Sequence, residues 1–312
     1  MNNIEKQPKT VHQSMGWFVL AFLLSMYLFS SILTFLIPDF AGVEFVMLAE
    51  ATVLTVALPM ILYLSMKRVK VLYQFRLQPI SLKLALFMVA FGVCTHAVNM
   101  LMSIPLNALL INVDFLMPPN VPSGTNLYTY LLSLGCVAVV PALFEELFFR
   151  GMLLREYEAY GARKAIIVTS LTFAMLHGNI YSLGFTMILG VLCAIVTVRT
   201  NSVISGMIVH FTVNATSLTL EYIRNMDFFT ANTEVASLVM LAYIAVFSLA
   251  FVFLYLRFIK STKMPEPTRT PCNIGEATEP KLGVSAGYIV TLVLVVLTQA
   301  SIILSNLAVM LK

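Results

Sequence analysis

Charge is what this 312-residue chain has least of: 11% of its residues are Asp, Glu, Lys or Arg, against 59% hydrophobic and a mean hydropathy of +0.90. Soluble domains carry roughly 25% charged residues. A water-facing globular domain is therefore excluded, and a polytopic membrane protein is indicated. Cysteine is scarce too, with four in all. Cys94, Cys136 and Cys193 fall in apolar runs and Cys272 in a polar stretch, a spacing that makes neither a disulfide framework nor a metal-binding pattern. The apolar run at about 16–37 is too long for a signal-peptide core and has no small-residue cleavage site after it, so it reads as a retained helix. The net charge of +4 comes from basic residues in short loops and points to a lipid bilayer, with no nucleic-acid partner.

Apolar runs near or above the ~20 residues that a crossing needs lie at about 16–37, 44–66, 83–104, 127–150, 236–257 and 284–311. Three more, at about 165–180, 182–198 and 203–222, are less apolar and closely spaced. The expected fold is all-α: a polytopic membrane helix bundle of eight or nine transmembrane helices. Residues 1–15 form a polar tail and 16–259 the helical membrane domain. The proline-rich stretch 260–283 is a polar linker, and 284–312 a C-terminal transmembrane helix. Segment 105–126, with "MPPNVPSG", reads as a loop. With nine spans and the N-terminus inside, sixteen of the 19 basic residues fall on the inner side. The positive-inside rule thus makes the N-terminus, the tail and the linker cytoplasmic.

Against this apolar background a few polar groups stand out. An acid or arginine at a helix centre costs about 2.5–3.5 kcal/mol on insertion scales, so such residues face a bundle interior or a wet cavity. The fourth run carries Glu145, Glu146 and Arg150, the fifth His177, and the seventh His210 and Asn214. At about 1.5 Å per residue, Glu145 lies ~15 Å in from Arg155, His177 ~20 Å in from Lys164 and His210 ~12 Å in from Ser202, all measured from the inner side. Acid, imidazole and amide groups thus converge on one level.

Local spacing adds to this. Glu146 and Arg150 are i,i+4 with the acid first, the better order for a helical ion pair, while Glu145 points about 100° away. His210 and Asn214 share one helix face. Pro141 has no N–H for the carbonyl of Val137, so a kink is expected just before the glutamates. His96 and Asn99 on the third run are read as packing or cavity-lining groups; Glu50 on the second is an outer-leaflet helix residue with no role assigned.

Chemically, a carboxylate and a histidine on one water make a general base. A second histidine and an amide can donate to a developing oxyanion. Amide hydrolysis needs those roles and no serine or cysteine nucleophile. The same Glu and His residues could instead hold zinc and activate its water, although no HExxH motif is present. Intramembrane Glu and His also mark ion paths in transporters, but the inverted repeats of that class are not evident.

"EELFFRG" (Glu145, Glu146, Arg150), "FAMLH" (Phe173, His177) and "HFTVN" (His210, Asn214) resemble, in order, the EExxxR, FxxxH and HxxxN motifs of the CPBP family. That family includes CAAX prenyl endopeptidases of the Rce1 type and bacterial Abi or bacteriocin self-immunity proteins. The resemblance covers about 127–222 and implies an intramembrane endopeptidase, a hydrolase. Carried over by position, Glu145 is the base on water, aided by His177; His210 and Asn214 stabilise the oxyanion; Glu146 and Arg150 organise the site. The metal-free form, with no cofactor, is preferred; the metal-dependent form would place zinc on Glu145, His177 and His210. The implied partner is a peptide or protein substrate, membrane-associated or lipidated, and the implied setting is the bacterial cytoplasmic membrane. A non-catalytic immunity or scaffold protein of the same fold, or an ion-coupled transporter, is the alternative.

Overall fold

A computed structural model describes residues 11–36, 43–67, 71–110, 126–178, 182–264 and 285–310, which form helices and turns with no strand among them. The elements are α1 (Val11–Leu36), α2 (Val43–Lys67), one-turn α3 (Val71–Gln74), α4 (Leu82–Leu110) and α5 (Leu127–Tyr160). They continue with α6 (Ala162–Leu176), α7 (Leu183–Thr200), α8 (Val203–Arg224), short α9 (Asp227–Ala231), α10 (Thr233–Ser261) and α11 (Ala286–Met310). Helices are the expected answer, because hydrocarbon offers the backbone no other hydrogen-bond partners.

Six stretches are long and apolar enough to cross a membrane: Val11–Phe29, Leu82–Pro105, Leu127–Tyr160, Leu183–Thr200, Val203–Arg224 and Thr233–Ser261. The chain is an integral membrane protein with an all-α bundle. Against the expected eight or nine spans, the described residues hold six of full length. Thr52–Met66 and Ala286–Ser301 are shorter apolar stretches. The run at 165–180 becomes α6, a helix of 15 residues. At 1.5 Å per residue it reaches about 22 Å, less than the ~30 Å of a hydrocarbon core. With Arg163 and Lys164 at its start, its far end stops within the membrane depth. The third helix is longer than expected, since α4 runs through Pro105 to Leu110. The rest of the expected loop (111–125), most of the linker 260–283 with Cys272, and the start of the tail (1–10) lie outside the described residues.

The bundle is organised around α5, which packs against α2, α6 and α8. Its centre is aromatic. Phe148 meets Phe22 of α1 at 4.7 Å between ring centres, and Phe149 meets Phe173 of α6 at 4.9 Å, edge to face. On the far side α4 lies against α8 and α10. His96 Nδ1 and Tyr243 Oη are 3.0 Å apart, and that hydroxyl donates to Val93 O, so His96 ties α4 to α10. Beyond these contacts α10 shows apolar side chains such as Leu249 and Phe253 to the outside, the normal state of a lipid-facing helix. α11 lies along α1. Gly16 and Gly287 leave the two backbones in direct contact, with no space for a Cβ on either.

α5 is irregular. Two π-helical segments, Leu134–Val139 and Leu147–Leu153, flank the α-helical turn Val140–Glu146. The first ends where Val140 donates to Gly135 O, five residues back, just before Pro141. A proline ring crowds the carbonyl four residues earlier, and a widened turn relieves that crowding. The break that Pro141 was expected to cause therefore takes the form of a π turn, a device found often at functional sites.

One end of the bundle is locked by buried charge. Arg76 and Arg155 both donate to Glu158 Oε2, the latter at 3.1 Å, and all three side chains are buried. Arg76 O accepts from Val203 N–H at 3.1 Å, and Gln78 O accepts from Ser202 Oγ at 2.6 Å. The turn after α3 thereby holds the start of α8, which sets the register of everything that α8 carries. Removing one member of a buried ion pair strands its partners and costs about 3–5 kcal/mol. Glu158→Ala should lower stability by an amount of that order, measured as the unfolding free energy or melting temperature in detergent, with Glu221→Ala on α8 as an inert control.

Candidate active site

The residues of the three motifs meet where α5, α6, α7 and α8 cross, and they form two groups. The first is buried. Glu146 Oε1 accepts from Arg150 Nη1 at 2.7 Å and from His210 Nδ1 at 2.9 Å. Arg150 Nη2 donates to Gly190 O of α7 at 3.0 Å. Neither Glu146 nor Arg150 has exposed surface. The i,i+4 spacing supplies the Glu146–Arg150 pair locally, and the fold adds one acceptor from α7 and one donor from α8.

Glycine makes this approach feasible. A Cβ on Gly206 would lie 2.8 Å from Glu146 Oε2 and 2.7 Å from Thr197 Oγ1. Only a residue without a side chain lets α8 come so close to the carboxylate.

The second group is half-open. His177 stands at the C-terminal end of α6, and its Nε2 is 3.9 Å from Glu145 Oε2, with side-chain exposures of 32% and 16%. That distance is beyond a direct hydrogen bond and suits a single bridging water. On its other side His177 Nδ1 lies 2.7 Å from Phe173 O. A carbonyl only accepts, so Nδ1 carries the hydrogen and the neutral ring turns an acceptor Nε2 towards Glu145. Glu145 Oε2 has no hydrogen-bond partner among the described residues.

Phe173 joins the two groups. Its ring lies 4.5 Å from Arg150 Cζ, 4.4 Å from the His177 ring and 5.8 Å from the His210 ring, the last nearly perpendicular. The guanidinium over its face is a cation–π contact, worth more in a desolvated site than in water. Nothing in the sequence gave Phe173 a role beyond its place in "FAMLH". The contributions of Gly190, Thr197 and Gly206 were likewise not legible, because a small residue on an apolar helix has no pattern of its own.

Asn214 is placed one helix turn from His210 and donates from Nδ2 to Val137 O at 3.0 Å. This is the carbonyl for which Pro141 has no N–H, so the amide supplies a donor at the break in α5. His96 lies instead at the α4–α10 contact, and Asn99, also on α4, is buried with neither amide atom hydrogen-bonded among the described residues. Glu50 is on α2, at the start of the second run.

Glu145 faces His177, whereas His210 gives its Nδ1 to Glu146. Among the described residues no three His, Cys, Asp or Glu side chains are grouped to hold a metal ion. The set Glu145, His177 and His210 does not fit a zinc ion in this arrangement.

The geometry defines a helical membrane protein with a paired acid–histidine site set inside the bundle. Residues 127–216 match the family model of type II CAAX prenyl endopeptidases, Rce1-like. No curated protein and no solved structure matches the chain. The matched segment runs from the start of α5 through Asn214 and contains all three motifs. The likeness is to this segment, less than a third of the chain.

The two adjacent glutamates should separate in a stability assay. Glu146→Ala leaves Arg150 and His210 buried without their acceptor and should cost about 3–5 kcal/mol. Glu145→Ala removes a half-open group with no hydrogen bond at Oε2 and should change stability by less than about 1 kcal/mol. Thermal unfolding of both variants in the same detergent checks the difference.

Proposed function

We propose that the protein is an intramembrane endopeptidase that hydrolyses peptide bonds with a water held between Glu145 and His177. The reading is carried by one observation: His177 Nδ1 is committed to Phe173 O, which turns Nε2 to Glu145 at 3.9 Å on a half-open side of the cluster. A water bridging the two can give its proton to Glu145 as it attacks a carbonyl, and His177 Nε2 aligns it. The proton then passes to the leaving amine.

The buried group supports that chemistry. Glu146 and Arg150 fix the α5–α7–α8 crossing. His210 donates from Nδ1 to Glu146, so its Nε2 offers a hydrogen to an oxyanion when the ring is protonated, a charge that Glu146 balances at 2.9 Å. Asn214 holds Val137 O with one N–H and keeps a second for the oxyanion. No step needs a metal.

The substrate is a peptide or protein presented at or in the bilayer, including lipidated ones. The proposed setting is the bacterial cytoplasmic membrane with the N-terminus inside, a placement that the distribution of basic residues supports. A bacteriocin self-immunity role is compatible with such a peptidase and would act through cleavage.

The test uses purified full-length protein in nanodiscs and a library of membrane-anchored fluorogenic peptides, with products identified by mass spectrometry. Glu145→Ala and His177→Ala should each reduce cleavage by about 10²–10⁴-fold, the range for loss of a general base, while both variants stay folded. Full cleavage in either variant would remove the assignment and favour a scaffold. A chelator should leave the wild-type rate unchanged; loss of activity together with stoichiometric zinc would replace the metal-free mechanism.

A further inference from the structure

The short helix α6 ends where a helix end is hardest to accommodate. Its last carbonyls have no partners within the helix and need donors to serve them. Two side chains do so. His177 Nδ1 donates to Phe173 O, and Gln299 Nε2 donates to Gly178 O. Gly178 follows His177 directly and has φ +58°, the left-handed conformation that closes a helix and leaves its carbonyl turned outward.

Gln299 comes from outside the family-matched segment. It sits on α11, which is anchored to α1 rather than to α6: Tyr27 Oη and Thr298 Oγ1 are 2.7 Å apart, and Gly16 meets Gly287 backbone to backbone. Against α6 it makes two polar contacts among those described, Thr172 with Tyr288 and Gly178 with Gln299. Its neighbours Val296 and Leu297 are more than half exposed, on a mainly apolar helix. A carboxamide on such a helix is costly unless it is paired, and its partner is the carbonyl next to the catalytic pair.

A primary amide N–H donating to a backbone carbonyl reproduces the contact that an extended peptide makes when it docks on an exposed edge. We infer that Gly178 O is a docking point for the substrate backbone, and that the Gln299 carboxamide occupies it until a substrate N–H takes its place. The inference rests on the peptidase reading and extends it to the kind of substrate and the side from which it arrives. Consecutive Cα atoms are 3.8 Å apart, so a chain bonded to Gly178 O passes beside His177. The substrate is an unwound, extended segment that reaches the site from the membrane, along the seam between α6 and α11. No bond is made or broken in the exchange: Gln299 rotates away and one N–H replaces another.

Two arms test this in the full-length protein in nanodiscs. In the first, Gln299→Leu and Gln299→Met remove the competing donor at similar volume. KM for a peptide cleaved by the wild type should fall about three- to tenfold, the value of one net hydrogen bond, without a rise in kcat. If Gln299 only holds α6 in place, kcat falls instead and KM does not, and the inference is overturned. In the second arm a photo-crosslinking benzophenone side chain replaces Gln299 or the lipid-facing Leu297 in the Glu145→Ala protein. The probe is a biotinylated transmembrane peptide of about 20 residues with a helix-breaking Gly-Pro centre. Crosslinking from position 299 and not from 297 supports docking; equal capture from both, or none from 299, overturns it. Because this arm reads binding alone, docking without any cleavage by the wild type would instead tell against the peptidase reading.

Discussion

Glu146 ties three helices together at a depth where charge is expensive. Its carboxylate accepts from Arg150 on its own helix and from His210 on α8, while Arg150 reaches on to a carbonyl of α7. None of the three could sit there alone, since an unpaired charge in hydrocarbon costs several kcal/mol. Together they pair through Glu146 Oε1, while Glu146 Oε2 has no hydrogen-bond partner among the described residues, and this pairing sets where α5, α7 and α8 cross. Glycines at 190 and 206 are where the helices come close enough for this to happen, and Phe173 covers the guanidinium.

This arrangement leaves Glu145 free for a different task. Adjacent residues on a helix point about 100° apart, so commitment of Glu146 to the bundle interior directs Glu145 to the neighbouring gap, where α6 ends. That gap exists because α6 is short. A helix that crossed completely would have carried regular backbone past this level. By stopping after 15 residues it places His177 beside Glu145 and leaves carbonyls that side chains must serve. One such bond, from Nδ1 to Phe173 O, also selects the tautomer. The requirement to satisfy backbone in lipid and the orientation of the site histidine are thus met by the same contact.

Breaks in the regular backbone recur around the site. Pro141 removes a donor from α5, a π turn takes up the crowding, and Asn214 reaches across from α8 to the carbonyl concerned. On insertion alone such defects are unfavourable; within a bundle they open room for polar groups and present them inwards. Irregular backbone and intramembrane polar residues therefore occur together here for one reason, which is that each compensates for the other.

Composition alone determined that the chain lies in a membrane, because so few charges cannot cover a soluble surface of this size. Runs of apolar residues located the long helices, although α4 runs on to Leu110 and α5 to Tyr160, past the expected ends at 104 and 150; the i,i+4 spacing of Glu146 and Arg150 foretold their pair, since a helix brings those positions together wherever it lies. Depth counted from the inner helix ends brought Glu145, His177 and His210 to one level, and the structure pairs Glu145 with His177 and His210 with Glu146. What distances along the chain could not supply was direction. Which glutamate faces which histidine depends on helix rotation, and that was decided by the π turns of α5 and the close approach at Gly206. The length of α6 differed from the expected run at 165–180: the helix ends at Leu176, and Gly178, two residues on, takes the left-handed conformation that closes it. Residue type and spacing thus named the polar groups, whereas their division into a buried brace and a half-open pair came from tertiary packing, because only packing sets how each helix is turned about its axis.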